Sequence, residues 1–140
     1  MKEIHDIVRN DYGKIALEET NATILSGNSS SETMSSSVGY TPDDLALAPV
    51  ESNLGLGCGN PHRKADIQPG EIVLDLGSGA GLDCFIAGKV VGRRGRAIGV
   101  DMTPEMLSRA RKIAKENRIR NVEFRLGEIE NLPIADNTAD

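Results

Sequence analysis

Tryptophan is absent from this sequence, and cysteine, tyrosine and phenylalanine occur twice each. Cys58 and Cys84 are too few for the disulfide framework that staples small secreted domains. So few aromatics leave a core to be built from aliphatic side chains. Long apolar runs are missing too: none approaches the roughly 20 residues that span a bilayer, and the N-terminus MKEIHDIVRN lacks the apolar centre of a secretory signal. Nor is there a basic surplus. Sixteen Lys and Arg stand against 21 Asp and Glu, a net charge of −5, with no sustained basic stretch to follow a phosphate backbone. Membrane insertion, secretion and nucleic-acid binding are thereby disfavoured, and the chain reads as soluble and cytoplasmic.

At 140 residues there is material for one core and little for two. Over residues 1–20, Ile4, Ile7, Val8, Ile15 and Leu17 recur among charges at near-helical spacing while Gly13 interrupts the run, which predicts one or two short amphipathic helices. Residues 26–37, SGNSSSETMSSS, have no apolar period and bury too little to offset their ordering entropy. They are expected to form a mobile loop, or a lid that orders on a ligand. Thr41 has the chemistry of an N-cap, with Pro42 at the first helical position and Asp43 and Asp44 near the positive end of a short helix reaching about Leu47. Residues 1–70 are therefore read as a helical and loop extension.

From residue 71 the texture changes. IVLDL at 72–76 is a short β-like run, followed at once by GSGAG and by LDCFIAGKVVG with an apolar helical face. RAIGVDM at 96–102 is a second strand. Thr103 and Pro104 are expected to cap a helix with Met106, Leu107, Ala110, Ile113 and Ala114 on one face, and VEFRL at 122–126 is a third strand. Strand, helix, strand, helix, strand with right-handed crossovers is one mononucleotide-binding half of a doubly wound parallel α/β sheet. Three parallel strands make a thin core, so residues 71–140 are expected to be a domain truncated at Asp140.

Asp75, Gly77, Ser78, Gly79 and Gly81 stand together between the first strand and its helix. Glycines there permit positive φ and let a ligand approach bare backbone, while the helix N-terminus offers free N–H groups and partial positive charge. The bland alternative is an ordinary glycine turn, although strand, spacing and helix all agree with a ligand loop. A dinucleotide fingerprint is not met, because Leu82 stands where G-x-G-x-x-G needs its last small residue. Asp101 ends the second strand about 20 residues beyond the loop, where a carboxylate accepts both hydroxyls of an adenosine ribose. Met102 beside it suits an adenine face. Asp101 as a cap for the next helix, and Met102 as plain packing, are the alternatives.

With DLGSGAG at 75–81, GVDM at 99–102 and RLGEIENLPIADNTAD at 125–140, the sequence resembles the class I S-adenosylmethionine-dependent methyltransferases. The resemblance implies a Rossmann-like three-layer α/β/α fold, here the first three strands of its sheet with an N-terminal helical extension, and S-adenosyl-L-methionine as cofactor. It implies that Gly77, Ser78, Gly79 and Gly81 pass the methionine moiety with Asp75 near its amino group, and that Asp101 holds the ribose. Met102 would then lie on the adenine, and Glu128, where relatives usually carry Asp, would meet the adenine edge together with the Ile129 N–H.

IVRNDYGKIALE at 7–18, SVGYTPDDL at 37–45 and NLGLGCGNP at 53–61 are similar to the entry region of arsenite methyltransferases within that superfamily. That likeness implies Cys58 as a ligand of trivalent arsenic, and Tyr40 near the cofactor. A soft thiolate between glycines suits trivalent arsenic. Cys58 as a small buried residue, or paired with His62 in part of a zinc site, are the bland alternatives, and Cys84, beside Phe85 and Ile86, is read as packing. The family's further arsenic cysteines would lie beyond Asp140, and Ser29–Ser31 and Ser35–Ser37 stand in the early loop where relatives carry cysteines. The 140-residue chain alone is therefore not expected to methylate arsenite. Two other functions remain open: a small-molecule C- or O-methyltransferase of the quinone-pathway type, and a non-catalytic cofactor-binding or assembly fragment that self-associates through the exposed edge of strand 72–76.

Overall fold

The computed structural model describes residues 2–22, 34–57 and 59–140. A long helix α1 (Lys2–Ala22) is followed by a helical turn over 34–37, α2 (Pro42–Ala46), a 3-10 turn (Val50–Ser52) and α3 (His62–Ala65). Then come β1 (Ile72–Leu76), α4 (Leu82–Val91), a 3-10 turn (Gly92–Arg94), β2 (Arg96–Asp101), α5 (Pro104–Glu116) and β3 (Val122–Leu126). The three strands form one parallel sheet in the order β1-β2-β3, with Asp75 opposite Gly99 and Gly99 opposite Phe124. This is the Rossmann-like α/β arrangement expected from strand, helix and glycine order.

Because side chains alternate along a strand, that register puts Asp75, Gly99 and Phe124 on one face of the sheet. Helices α4 and α5 cover it with Cys84, Phe85, Ala87, Leu107, Ala110 and Ile113. The expectation of a purely aliphatic core is corrected here: both phenylalanines of the chain lie in it, ring centroids 5.6 Å apart and edge to face. On the opposite face Ile98 and Val100 are buried, and residues 127–140 return across it, with Arg125 Nη1 donating to the Pro133 carbonyl at 2.8 Å. At the edge of β1, the Ile72 N–H donates to the Asp140 carboxylate at 2.8 Å and the Ile72 carbonyl accepts from the Asp140 N–H at 3.0 Å.

The N-terminal region departs from its sequence pattern. Instead of short helices broken at Gly13, α1 runs through that glycine for 21 residues. Gly13 is buried at the contact with α5, where a Cβ would stand 3.1 Å from Glu105 Oε2. Three of the five apolar residues that suggested the buried face are exposed instead, Ile4 by 64%, Ile7 by 56% and Leu17 by 61%, while Val8 and Ile15 are half-buried. The packed face carries Ala16 against Leu54, Ala80 and Met106. Arg109 of α5 locks it by donating to the carbonyls of Ala16, at 3.2 Å, and of Glu51. Hydrophobic period alone misplaced this helix because its contact depends on small residues and on backbone carbonyls, which carry no periodic apolar signal.

Two further local expectations differ. Within 26–37, residues 26–33 lie outside the described residues, while 34–37 form a helical turn whose buried Ser35 donates to Asn53 Oδ1 at 2.6 Å. Thr103 occupies the N-cap of α5 but its side chain makes no capping bond. Thr41 caps α2 as its sequence suggested, accepting from the Asp44 N–H, and the structure adds a reciprocal bond in which Asp44 accepts from the Thr41 N–H. Among the described residues no helix is long and apolar enough to cross a membrane.

Candidate cofactor site

The site lies at the C-terminal ends of the strands, where ligands of open parallel sheets bind. Between β1 and α4 the loop turns sharply: Gly77, Gly79 and Gly81 have φ of 74°, 53° and 95°, which side-chain-bearing residues rarely adopt. It folds over β2, the N–H groups of Gly77 and Ser78 donating to the Val100 carbonyl at 2.8 and 3.1 Å. A Cβ on Gly77 or Gly79 would meet nothing within 4 Å, so bare backbone faces open space there. That space is a cleft of about 400 Å³.

Asp101 closes the floor of this cleft. Its Oδ2 accepts from the Gly79 N–H at 2.9 Å and its Oδ1 from the Thr103 N–H at 2.8 Å. The second bond is a local turn from Asp101 to the residue two positions on, just before the next helix, and the first ties the carboxylate to the glycine loop. A carboxylate oxygen accepts more than one hydrogen bond, so both keep capacity toward a ligand's hydroxyls. Ser78 lines the cleft through its backbone, while its hydroxyl is buried without a partner among the described residues and lies against Gly99, where a Cβ would stand 2.6 Å from it.

At one end of the cleft stand Met102, Glu128 and Ile129. The wall facing them is α1, through His5, Val8 and Tyr12, none of which the sequence pattern marks as functional. Arg9 joins the two sides, with Nε donating to the Met102 carbonyl at 3.1 Å and Nη2 to Glu128 Oε1 at 3.2 Å. No local signal could have revealed it, since its partners are 93 and 119 residues away in sequence.

At the other end Tyr40, almost fully buried, donates through its hydroxyl to Asp83 Oδ1 at 2.7 Å, and His62 Nε2 donates to the same oxygen at 3.0 Å. Tyr40 lies against Gly57, where a Cβ would come within 3.1 Å of the ring. Asp83 escapes a reading of the sequence because it looks like an ordinary first-turn acid of a helix. Cys58 lies outside the described residues, and among the described residues no group of three or more His, Cys, Asp or Glu could hold a metal ion. Asp75 and Gly81 sit just behind the loop and do not line the cleft.

The Asp75 carboxyl accepts from the Cys84 thiol at 3.5 Å and is pushed up to about 6, first by desolvation and next by the charge of Asp83. Cys84 itself is raised by burial and by the charge of Asp75. Because an unfolded Asp titrates near 4, folded Asp75 retains a proton that the unfolded chain has lost. Its stabilising contribution is complete below about pH 4 and is lost as pH rises through about 6, a change of about 3 kcal/mol. Asp75→Asn removes this component, so urea unfolding should show the variant gaining on the wild type from pH 4 to 7. A difference that stays flat across that range would put Asp75 at its ordinary value.

Residues 67–140 match the family model described as "Methyltransferase domain", and the chain belongs to this family, of the class I, S-adenosylmethionine-dependent kind. It is 57% identical over 103 residues to an arsenite methyltransferase of Halobacterium salinarum, a match covering 74% of this chain and 26% of that protein. An arsenite methyltransferase of Aquipseudomonas alcaligenes is 35% identical over 92% of this chain and 37% of its own length. Among solved structures, an arsenic(III) S-adenosylmethionine methyltransferase from Chlamydomonas reinhardtii superposes with a TM-score of 0.55 at 42% identity, over 63% of this chain and 31% of that one. The chain thus spans between about a quarter and two fifths of the curated arsenite methyltransferases it matches.

Proposed function

We propose that this chain is the cofactor-binding portion of an arsenite methyltransferase, taking S-adenosylmethionine in the cleft and offering Cys58 as a thiolate ligand to trivalent arsenic. The observation that carries it is the 57% identity to an arsenite methyltransferase over 74% of the chain. The open glycine loop with Asp101 held at its foot supports the cofactor half of the proposal. Residues 71–140 serve as the cofactor-binding half, and residues 1–70 as an extension that walls the cleft.

Gly77, Ser78 and Gly79 bind the methionine moiety through their backbone, Gly81 sets the turn, and Tyr40 orders the loop's far side through Asp83. Asp75 supplies negative charge from behind Gly77 toward the amino group. Asp101 accepts the ribose hydroxyls, Met102 covers the base, and Glu128 with the Ile129 N–H meets the adenine edge. When bound, S-adenosylmethionine supplies a methyl group activated by its sulfonium. The protein's part is alignment, since an arsenic lone pair needs no deprotonation and no general base is assigned.

Calorimetric titration of the chain with S-adenosylhomocysteine tests the cofactor site, and absence of binding by folded chain would overturn it. The arsenic ligand is tested by alkylation. Cys84 is fully buried with its thiol pushed up, so it is a poor nucleophile. One cysteine should therefore react with iodoacetamide in the folded chain, protected by phenylarsine oxide and lost in Cys58→Ser. Protected alkylation that persists in that variant would move the ligand to Cys84. Among the described strands β1 pairs with β2 alone, so past the Asp140 contacts at Ile72 its outer edge is open to a further strand, and self-association there is a second part of the proposal. A constant monomer mass in light scattering at micromolar protein would exclude it. A cytoplasmic location suits a small-molecule enzyme of this kind.

A further inference from the structure

The contacts of Arg9 reach beyond helix packing. On α1 it meets the adenine end of the cleft at two points, the Met102 carbonyl through Nε at 3.1 Å and Glu128 Oε1 through Nη2 at 3.2 Å. One turn earlier, His5 places Nδ1 3.7 Å from the same Glu128 oxygen and Nε2 3.6 Å from Glu130 Oε1. Both side chains of α1 thus address Oε1 of Glu128, so Oε2 keeps its lone pairs for a ligand. Beyond the strand ends the two backbones are tied by the Gly127 N–H, which donates to the Asp101 carbonyl at 3.0 Å, so what remains to be placed is the Glu128 side chain. A guanidinium places it, because its donors are held in one rigid plane.

We propose that Arg9 is a positioning residue of the cofactor site: by spanning the Met102 carbonyl and one oxygen of Glu128 it fixes the Glu128 carboxylate at the adenine end and aims its other oxygen at the exocyclic amine. Cofactor affinity and base selectivity then depend on a helix outside the methyltransferase core. The inference rests on the assignment of this end of the cleft to adenine. Lysine in place of Arg9 has the charge without the fork, and can serve one of the two acceptors at a time.

The test compares S-adenosylhomocysteine with S-inosylhomocysteine, whose ring carries a carbonyl in place of the amine, by calorimetry on the whole chain. Wild type is expected to prefer the adenine ligand by at least tenfold. Arg9→Ala should weaken S-adenosylhomocysteine about tenfold and leave the inosine analogue nearly unchanged, so that the preference collapses, with Arg9→Lys in between. An equal loss for both ligands means that α1 merely covers the cleft, and overturns the inference. So does an Arg9→Ala chain that binds and discriminates like wild type while Asp101→Ala loses binding, which leaves the cofactor assignment standing. If wild type binds neither ligand, the cofactor assignment fails and this inference with it. Should circular dichroism show Arg9→Ala to be unfolded, Arg9→Lys decides: reduced preference supports the positioning role, and unchanged preference refutes it.

Discussion

Asp101→Ala is expected to weaken S-adenosylhomocysteine binding by roughly 100-fold, about 3 kcal/mol, in calorimetric titration. On the proposed reading the carboxylate takes two ribose hydroxyls, and hydrogen bonds to charged groups are worth about 1.5–3 kcal/mol each. Asp101 also receives the Gly79 and Thr103 N–H groups, so its removal loosens the glycine loop as well. Asp101→Asn separates the two effects. Its amide keeps one oxygen, which can hold one of the two N–H groups but not both, and gives up the charge. Asn should recover much of the stability lost in the Ala variant while recovering little of the affinity. A folded Asp101→Ala chain that binds within threefold of wild type would remove Asp101 from the site.

The second large effect concerns stability. Gly81 has φ of 95°, and a Cβ there would lie 2.7 Å from Phe124 Cζ and 2.9 Å from Phe85 Cε2. Left-handed backbone costs an L-residue about 1–2 kcal/mol, and forcing a methyl into a packed core about 1–3 kcal/mol more. Gly81→Ala should therefore destabilise the chain by about 2–5 kcal/mol, with a melting temperature lower by roughly 10 °C. Both aromatic rings are core residues flanked by β3 and α4, so they cannot swing aside as a surface side chain would. Adding Phe124→Leu opens room for the methyl, and the double variant should be less damaged than the sum of the two single changes. Strict additivity in thermal melts would show that backbone conformation alone accounts for the cost.

Most of the cofactor half is legible in the amino-acid sequence. Apolar runs at 72–76, 96–101 and 122–126, the glycines between the first strand and its helix, and the buried face from Met106 to Ala114 all rest on local chemistry, and the fold contains each of them. Asp101 is legible for the same reason, as an acid at a strand end a fixed distance beyond a glycine turn. The N-terminal half is legible in kind and misleading in detail. Its α2 cap is a local exchange between Thr41 and Asp44, and is visible. Its long helix is not, since α1 packs through Gly13 and Ala16 while Ile4, Ile7 and Leu17 face outward.

By itself, then, the sequence determined what depends on neighbours a few residues apart: strand and helix order, the parallel half-sheet, the positive-φ glycine loop and the acid that faces it. Tertiary structure alone decided what depends on groups far apart in the chain. It brought α1 over the cleft so that Arg9 bridges Met102 and Glu128, and it set Tyr40 and His62 on one oxygen of Asp83. The physical reason is that a hydrogen bond across 93 or 119 residues is fixed by how helices and sheet dock, through backbone carbonyls and small residues that leave no period in the sequence.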